Sequence, residues 1–253
     1  MALKILYLDI ETAPNKVYSW GLFNQNISLN QVVEPGYTLC FAAKWDDSSE
    51  IMFKSIKRNG LKRMIKTVHK LLSEADAVVH YNGKRFDIPV LNWEFAKLGL
   101  EPPTPYKQID LYRTVSKNFK PTSKKLDFVC QEFGIGSKVN HKGMELWHEC
   151  MNGNEKSWGI MERYNKQDVR LLPKLYKRLL PWISDHPNHA LYVDTTDPVC
   201  PNCGSTHLVK KGKQPTNTGI YQRYKCQSCK TPLRSRFTEV EADKRQGILT
   251  QVK

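Results

Sequence analysis

The stretch LYLDIETAPN, residues 6–15, decides how this chain reads. Leu6, Tyr7 and Leu8 look like the end of a buried strand, and Asp9 and Glu11 then stand where apolar residues would continue it. Side chains at i and i+2 of a strand share a face, so these two carboxylates lie side by side. Adjacent carboxylates repel unless a proton or a cation relieves them. The pair requires a partner from elsewhere in the chain.

Working outward, residues 3–9 predict a first strand, and residues 12–37, broken by Pro14, Gly21, Pro35 and Gly36, predict irregular structure. TLCFAAKW and EIMFKS, separated by DDSS, read as a strand hairpin. Leu61, Met64, Ile65, Val68, Leu71 and Leu72 recur at helical spacing. ADAVVHYN predicts a strand, IPVLNWEFAKLG a helix closed by Gly99, YKQIDLY a strand, and KLDFVCQEFG a helix ending at Gly134. A long helix is predicted from Ser157 to Leu180. Strands followed by strand–helix alternation predict an α/β fold, a mixed sheet flanked by helices.

After Trp182 the pattern changes. The expected organisation is a domain over 1–184, a linker over 185–197, a small metal-binding domain over 198–240 and a frayed tail over 241–253. The chain carries a net charge of +14, and residues 196–253 hold eleven Lys or Arg against four Asp or Glu. That balance favours a polyanionic partner, nucleic acid before an anionic membrane. No apolar run reaches the roughly 18 residues of a membrane span, and the N-terminus lacks a signal-peptide pattern. The expectation is a soluble intracellular protein, and the cysteine usage, paired spacings plus scattered thiols, fits a reducing compartment.

Two further acids sit beside buried-looking sequence. Asp87 closes YNGKRFD at the end of the DAVVH strand, and Asp168 lies four residues after Tyr164 on the long helix, on a face shared with Leu171, Leu172 and Leu175. Desolvating four unpaired carboxylates would cost several kcal/mol apiece. Divalent cations account for them, and an all-oxygen donor set favours Mg²⁺ or Mn²⁺. Taken singly, each acid also reads as a structural strand-end or helix-face residue, and Tyr164 as an ordinary core tyrosine.

Together, Asp9-Ile10-Glu11, the run Asn82 to Asp87, and Tyr164-x-x-x-Asp168 resemble the three motifs of DEDDy-type 3′–5′ exonucleases. SKKLDFVCQEFGIGSK also looks like the proofreading domain of family B DNA polymerases, and the resemblance covers roughly residues 3–180. It implies an RNase H-like fold and two-metal hydrolysis of a phosphodiester at a 3′ end. By the same resemblance Asp9 would bridge two Mg²⁺ or Mn²⁺ ions, Glu11 and Asp168 would hold the one that activates water, and Asp87 the other. Tyr164 would orient the water, since a hydroxyl of pKa about 10 is a poor base. Asn82 and Phe86, from their place in the second motif, would contact the substrate's 3′ end; otherwise they are a turn residue and a core residue. Lys138 would touch a phosphate or stay solvated. Trp20, Trp93, Trp147 and Trp158 offer rings for base stacking or for the core.

Cys200, Cys203, Cys226 and Cys229 form two C-x-x-C pairs, with twenty-two residues between Cys203 and Cys226. This is tetrahedral Cys₄ spacing for one structural Zn²⁺, and it resembles a zinc ribbon. Disulfides and a thioredoxin-like dithiol are the competing readings. Lys210, Lys211, Lys213, Arg223, Lys225, Lys230, Arg234 and Arg236, interleaved with Tyr221, Tyr224 and Phe237, suit single-stranded nucleic acid, while docking to a replication or repair protein is the alternative use of the ribbon. The expected function is a stand-alone 3′–5′ exonuclease on DNA, or a proofreader acting in trans. An exoribonuclease and a docking subunit with little turnover are the alternatives.

Overall fold

The computed structural model describes residues 3–251. The first two residues of the expected domain and the last two of the expected tail lie outside the described residues. The chain divides into one compact unit, Lys4–Tyr176, and a second from Lys177 onward.

In the first unit, β1 (Ile5–Thr12) is followed by β2 (Lys16–Val17) and β3 (Val32–Glu34), a short antiparallel pair. Then come β4 (Thr38–Trp45), β5 (Met52–Ser55), α1 (Ile56–Asn59), α2 (Leu61–Glu74), β6 (Ala77–His80) and α3 (Asp87–Lys97). The remaining elements are β7 (Lys107–Asp110), α4 (Leu111–Asn118), α5 (Leu126–Glu132), α6 (Met144–Met151) and α7 (Glu155–Leu179). The main sheet has the order β5-β4-β1-β6-β7. β1 is its centre, antiparallel to β4 and parallel to β6. The result is the mixed α/β sheet flanked by helices that the sequence predicts.

β1 runs on through both carboxylates, and its pleat sorts them. Leu6, Leu8 and Ile10 face a core built with Met64, Ile65, Val68 and Leu72 of α2 and Leu91 and Phe95 of α3. Tyr7, Asp9 and Glu11 therefore face the opposite side. There Tyr7 meets Tyr176 of α7 edge-on at 6.0 Å. Beyond a register shift between Glu11 and Thr12, Cys40 joins Leu146, Trp158, Met161 and Tyr164 in a second core. α7 continues through Pro173, which forfeits one backbone bond. Leu171, Leu172, Leu175 and Tyr176 are all buried around it, and that packing outweighs the lost bond.

β2 and β3 fall within residues 12–37, expected to be irregular, and other elements also depart from the sequence reading. YKQIDLY stops being a strand at Asp110, whose carboxylate caps α4 by accepting from Tyr112 N and Arg113 N. Residues 144–151 form α6, which the sequence reading left unassigned. The tail expected to fray holds a short helix, α8 (Ala242–Gln246).

In the second unit, β8 (Leu208–Pro215), β9 (Ile220–Cys226) and β10 (Pro232–Arg234) form an antiparallel sheet in the order β10-β9-β8. No helix among the described residues is long and apolar enough to cross a membrane.

Candidate active site and cysteine centre

Asp9 and Glu11 on β1 and Asp168 on α7 converge, with carboxylate oxygens all within 4.8 Å of one another. Asp87 enters from the first turn of α3. Its Oδ1 accepts from Ile10 N at 3.1 Å, so the β1 backbone fixes the second motif against the first. Asn165, one turn before Asp168 on α7, donates its Nδ2 to Asp9 Oδ2 at 2.7 Å. Lys138 turns inward rather than into solvent. Its ammonium donates to Asp168 Oδ2 at 2.5 Å and to Tyr164 OH at 3.0 Å. The Lys138 backbone N–H is in turn held by Asp127 Oδ1 at 2.7 Å.

The electrostatics follow from burial and crowding. Burial, then repulsion by Asp168, Asp87 and Glu11, pushes Asp9 well above the usual carboxylate range. Burial and Asp168 raise Glu11 to about 8. Burial raises Asp87 to about 7, against the pull of the Ile10 N–H. Asp168 is also raised by burial, with Lys138 opposing. Burial tends to strip the proton from Lys138, but Asp168 and Tyr164 more than offset it, so Lys138 stays charged.

One ammonium thus faces three carboxylates, those of Asp9, Glu11 and Asp168, and Asp168 Oδ1 is buried with no hydrogen-bond partner among the described residues. An oxygen-only donor set with surplus negative charge and an orphaned oxygen suits hard divalent cations.

The second-motif loop is shaped by Asp110, at the end of β7. Asp110 Oδ1 accepts from Asn82 N at 2.9 Å, and Asp110 Oδ2 from Lys84 N at 3.4 Å. Asn82 adopts φ 65, a left-handed conformation that asparagine tolerates. Gly83 N donates to His80 Nδ1 at 3.1 Å. A Cβ on Gly83 would lie 2.6 Å from His80 Cγ, so the approach requires glycine. Asn82 and Phe86 are carried by this loop and do not join the carboxylate group. Phe86 is 45% exposed, which removes it from the core. Of the tryptophans, Trp158 is buried, Trp147 packs edge-on to Tyr164 at 6.0 Å, and Trp93 and Trp20 are exposed.

The signal for Asn165 was present. It stands four residues after Met161 and four before Val169, and all three are fully buried. A polar amide in a helix's buried stripe must be bonded to something.

In the second unit the four cysteine sulfurs also lie within 4.8 Å of one another. Cys200 Sγ and Cys229 Sγ are 3.5 Å apart, and Cys203 Sγ and Cys226 Sγ 3.6 Å. A disulfide needs about 2.05 Å. Sulfurs at about 2.3 Å from a tetrahedral zinc stand about 3.8 Å from one another, so the cluster is compatible with a zinc ribbon. Both knuckles close through their own backbones: Gly204 N donates to Cys200 O at 2.8 Å and Lys230 N to Cys226 O at 3.1 Å.

Among solved structures, the family B DNA polymerase of the hyperthermophilic archaeon Pyrobaculum calidifontis is similar over 71% of this chain, at 21% identity and a TM-score of 0.55. The chain spans 25% of that polymerase's length, and at this identity the likeness is one of fold. No curated protein matches the chain. The sequence profile of the RNase H superfamily matches residues 6–180, the span that carries the sheet, α7 and all four carboxylates, and the chain belongs to that superfamily.

Proposed function

We propose that the chain is a metal-dependent 3′–5′ exonuclease of the DEDDy kind, removing nucleotides from DNA 3′ ends, and that its cysteine unit is a zinc ribbon that binds nucleic acid. The observation that carries this is the convergence of Asp9, Glu11 and Asp168 within 4.8 Å, beside Tyr164 and Asp87. Two Mg²⁺ or Mn²⁺ ions held by these four acids would supply Lewis acidity at the scissile phosphate and a nucleophile at neutral pH.

The chain's own groups do the orienting. Asn165 fixes one Asp9 oxygen and the Ile10 N–H fixes one Asp87 oxygen, which leaves each acid a free oxygen in a set direction. Burial pushes Tyr164 up to about 12, so it stays protonated and positions water rather than taking its proton. Its oxygen accepts from Lys138, which leaves the Tyr164 O–H free to donate toward the site. Asn82 and Phe86, at the mouth of the second-motif loop, would meet the terminal nucleotide.

DNA is the first choice because the similar structure is a DNA polymerase. For the ribbon, Arg223 lies directly opposite Arg234 across β9 and β10. Like charges in that position are destabilising, and a phosphate between the strands would relieve them.

The test is digestion of 5′-labelled single-stranded DNA and RNA with Mg²⁺, Mn²⁺ or EDTA, beside Asp9→Ala. A ladder shortening from the 3′ end, lost with EDTA and with Asp9→Ala, is the expected result, and the faster substrate decides between DNA and RNA. Digestion that survives Asp9→Ala would remove the assignment.

A further inference from the structure

The excursion between β1 and β4 begins at Ala13, two residues after Glu11, and exposes several large apolar side chains. Trp20 is 100% exposed, Leu22 93%, Leu29 91%, Phe23 83% and Tyr18 77%. Exposure of this kind in one short segment marks a surface made to be covered. The segment is not a loose loop. Its ends are tied where Ala13 N donates to Tyr37 O at 2.8 Å and Gly36 N to Asn15 Oδ1 at 2.7 Å. A Cβ on Gly36 would lie 2.6 Å from Ala13 O, so the neck closes only on glycine. Above the neck, Lys16–Val17 pairs with Val32–Glu34, Tyr18 N donates to Gln31 O at 2.9 Å, and Gln31 Nε2 returns a bond to Tyr18 O at 3.0 Å. The rings are therefore displayed on a closed strap rooted at the carboxylate end of β1.

We infer that this strap is a base-stacking platform for the unpaired nucleotides of a single-stranded nucleic acid, with Tyr18, Trp20 and Phe23 as the stacking rings. The inference rests on the exonuclease reading and names where the strand lies after it leaves that site. Three features select nucleic acid over a protein. Residues 17–33 contain no charged side chain, so nothing on the strap repels phosphate, while the whole chain carries +14. Asn24, Asn26 and Asn30 set exposed amides among the rings, which suits the donor and acceptor edges of bases. The strap also continues directly from the strand that presents Asp9 and Glu11, so a strand with its 3′ end at the carboxylates passes it.

Stacking of this kind contributes about 1–3 kcal/mol per base, roughly tenfold in affinity for each kilocalorie and a half. The experiment measures binding of a fluorescein-labelled thymidine oligonucleotide by anisotropy without added Mg²⁺ or Mn²⁺ and without a chelator, so that no turnover occurs and the cysteine unit keeps its metal. It compares the wild-type chain, Trp20→Ala/Phe23→Ala and Trp20→Phe, with an abasic oligonucleotide of equal length as the second ligand.

The double variant is expected to bind the thymidine strand tenfold or more weakly. It should bind the abasic strand as the wild type does, and Trp20→Phe should bind almost normally. Equal loss for both ligands would make the strap a site without base contact, and no loss for either would leave it to a protein; both results overturn the inference. A second copy of this chain as occupant would appear as wild-type dimers in sedimentation that the double variant abolishes, with oligonucleotide binding unchanged. Because binding is read without turnover, a chain that stacks bases but digests nothing would sink the exonuclease reading and leave the strap standing.

Discussion

His80 shows what a single buried side chain contributes. It is fully buried on β6, and burial lowers its pKa from 6.5 to about 4, with Asp110 pulling the other way. The folded chain therefore keeps His80 neutral where the unfolded chain would protonate it. His80 leaves stability intact above about pH 6.5 and subtracts from it progressively as the pH falls toward 4. The site carboxylates act in the opposite sense: Glu11, at about 8, lowers stability as the pH rises from about 4.5 to 8 in metal-free protein. The readout is accordingly a difference. His80→Gln should flatten the loss in urea midpoint between pH 6.5 and 4.5 relative to the wild type, and parallel curves would show that His80 does not bear the titration. At this scale the sequence was legible wherever chemistry forced a pattern. Asp9 with Glu11, and Tyr164 with Asp168, have spacings that make sense on one face of a strand and of a helix. Asn165 and Asp110 were not recovered, because their partners are an acid 156 residues away and the backbone of a separate loop. The direction of Lys138 could not be read either, since a lysine on a loop reads as solvated until its anion is located.

Among the elements, the loop between β6 and α3 depends on the cap of another helix. Asp110 accepts from Tyr112 N at the start of α4 and from Asn82 N and Lys84 N in the loop, and it is buried. Removing it leaves helix and loop donors without acceptors, a loss of about 1–3 kcal/mol. Asp110→Ala should lower the unfolding free energy by about that amount and slow hydrolysis by loosening the loop that ends in Asp87. Asp110→Asn, which keeps an acceptor, should cost less. Chemical denaturation beside a turnover assay checks both, and an Asp110→Ala chain as stable as the wild type would deny the coupling. The same carboxylate explains a missed element. KQID runs into LYRTVSKN with no glycine or proline between them, so strand and helix merged in the reading. The N-cap itself was the available boundary signal. α6 was lost because only Leu146 and Cys150 of its residues are buried, so its apolar stripe is a single i, i+4 pair. The alternation in β1 and the long stripe of α7 were plain because their buried faces run for several turns or pleats.

At the level of the molecule, the two units depend on different forces. Lys4–Tyr176 has two hydrophobic cores, whereas β8, apart from the half-buried Leu208, is exposed along its length. A small sheet with so little apolar burial is expected to need a metal to fold. Atomic emission should find one zinc per chain. Stripping it with a chelator should erase amide protection in β8, β9 and β10 and leave β1, β4 and β6 protected in hydrogen exchange. Protection of β9 that outlasts the zinc would show that the sheet stands on its own. The bond from Asn165 to Asp9 spans 156 residues of sequence. Asp9 is therefore synthesised 156 residues before the Asn165 that holds it, and Asp168 follows only after that. A chain still emerging from the ribosome, or a fragment cut anywhere before α7, carries the first motif and most of the sheet but no assembled site. On the proposed function, hydrolysis can begin only when the unit is whole, and no partly made chain would digest nucleic acid.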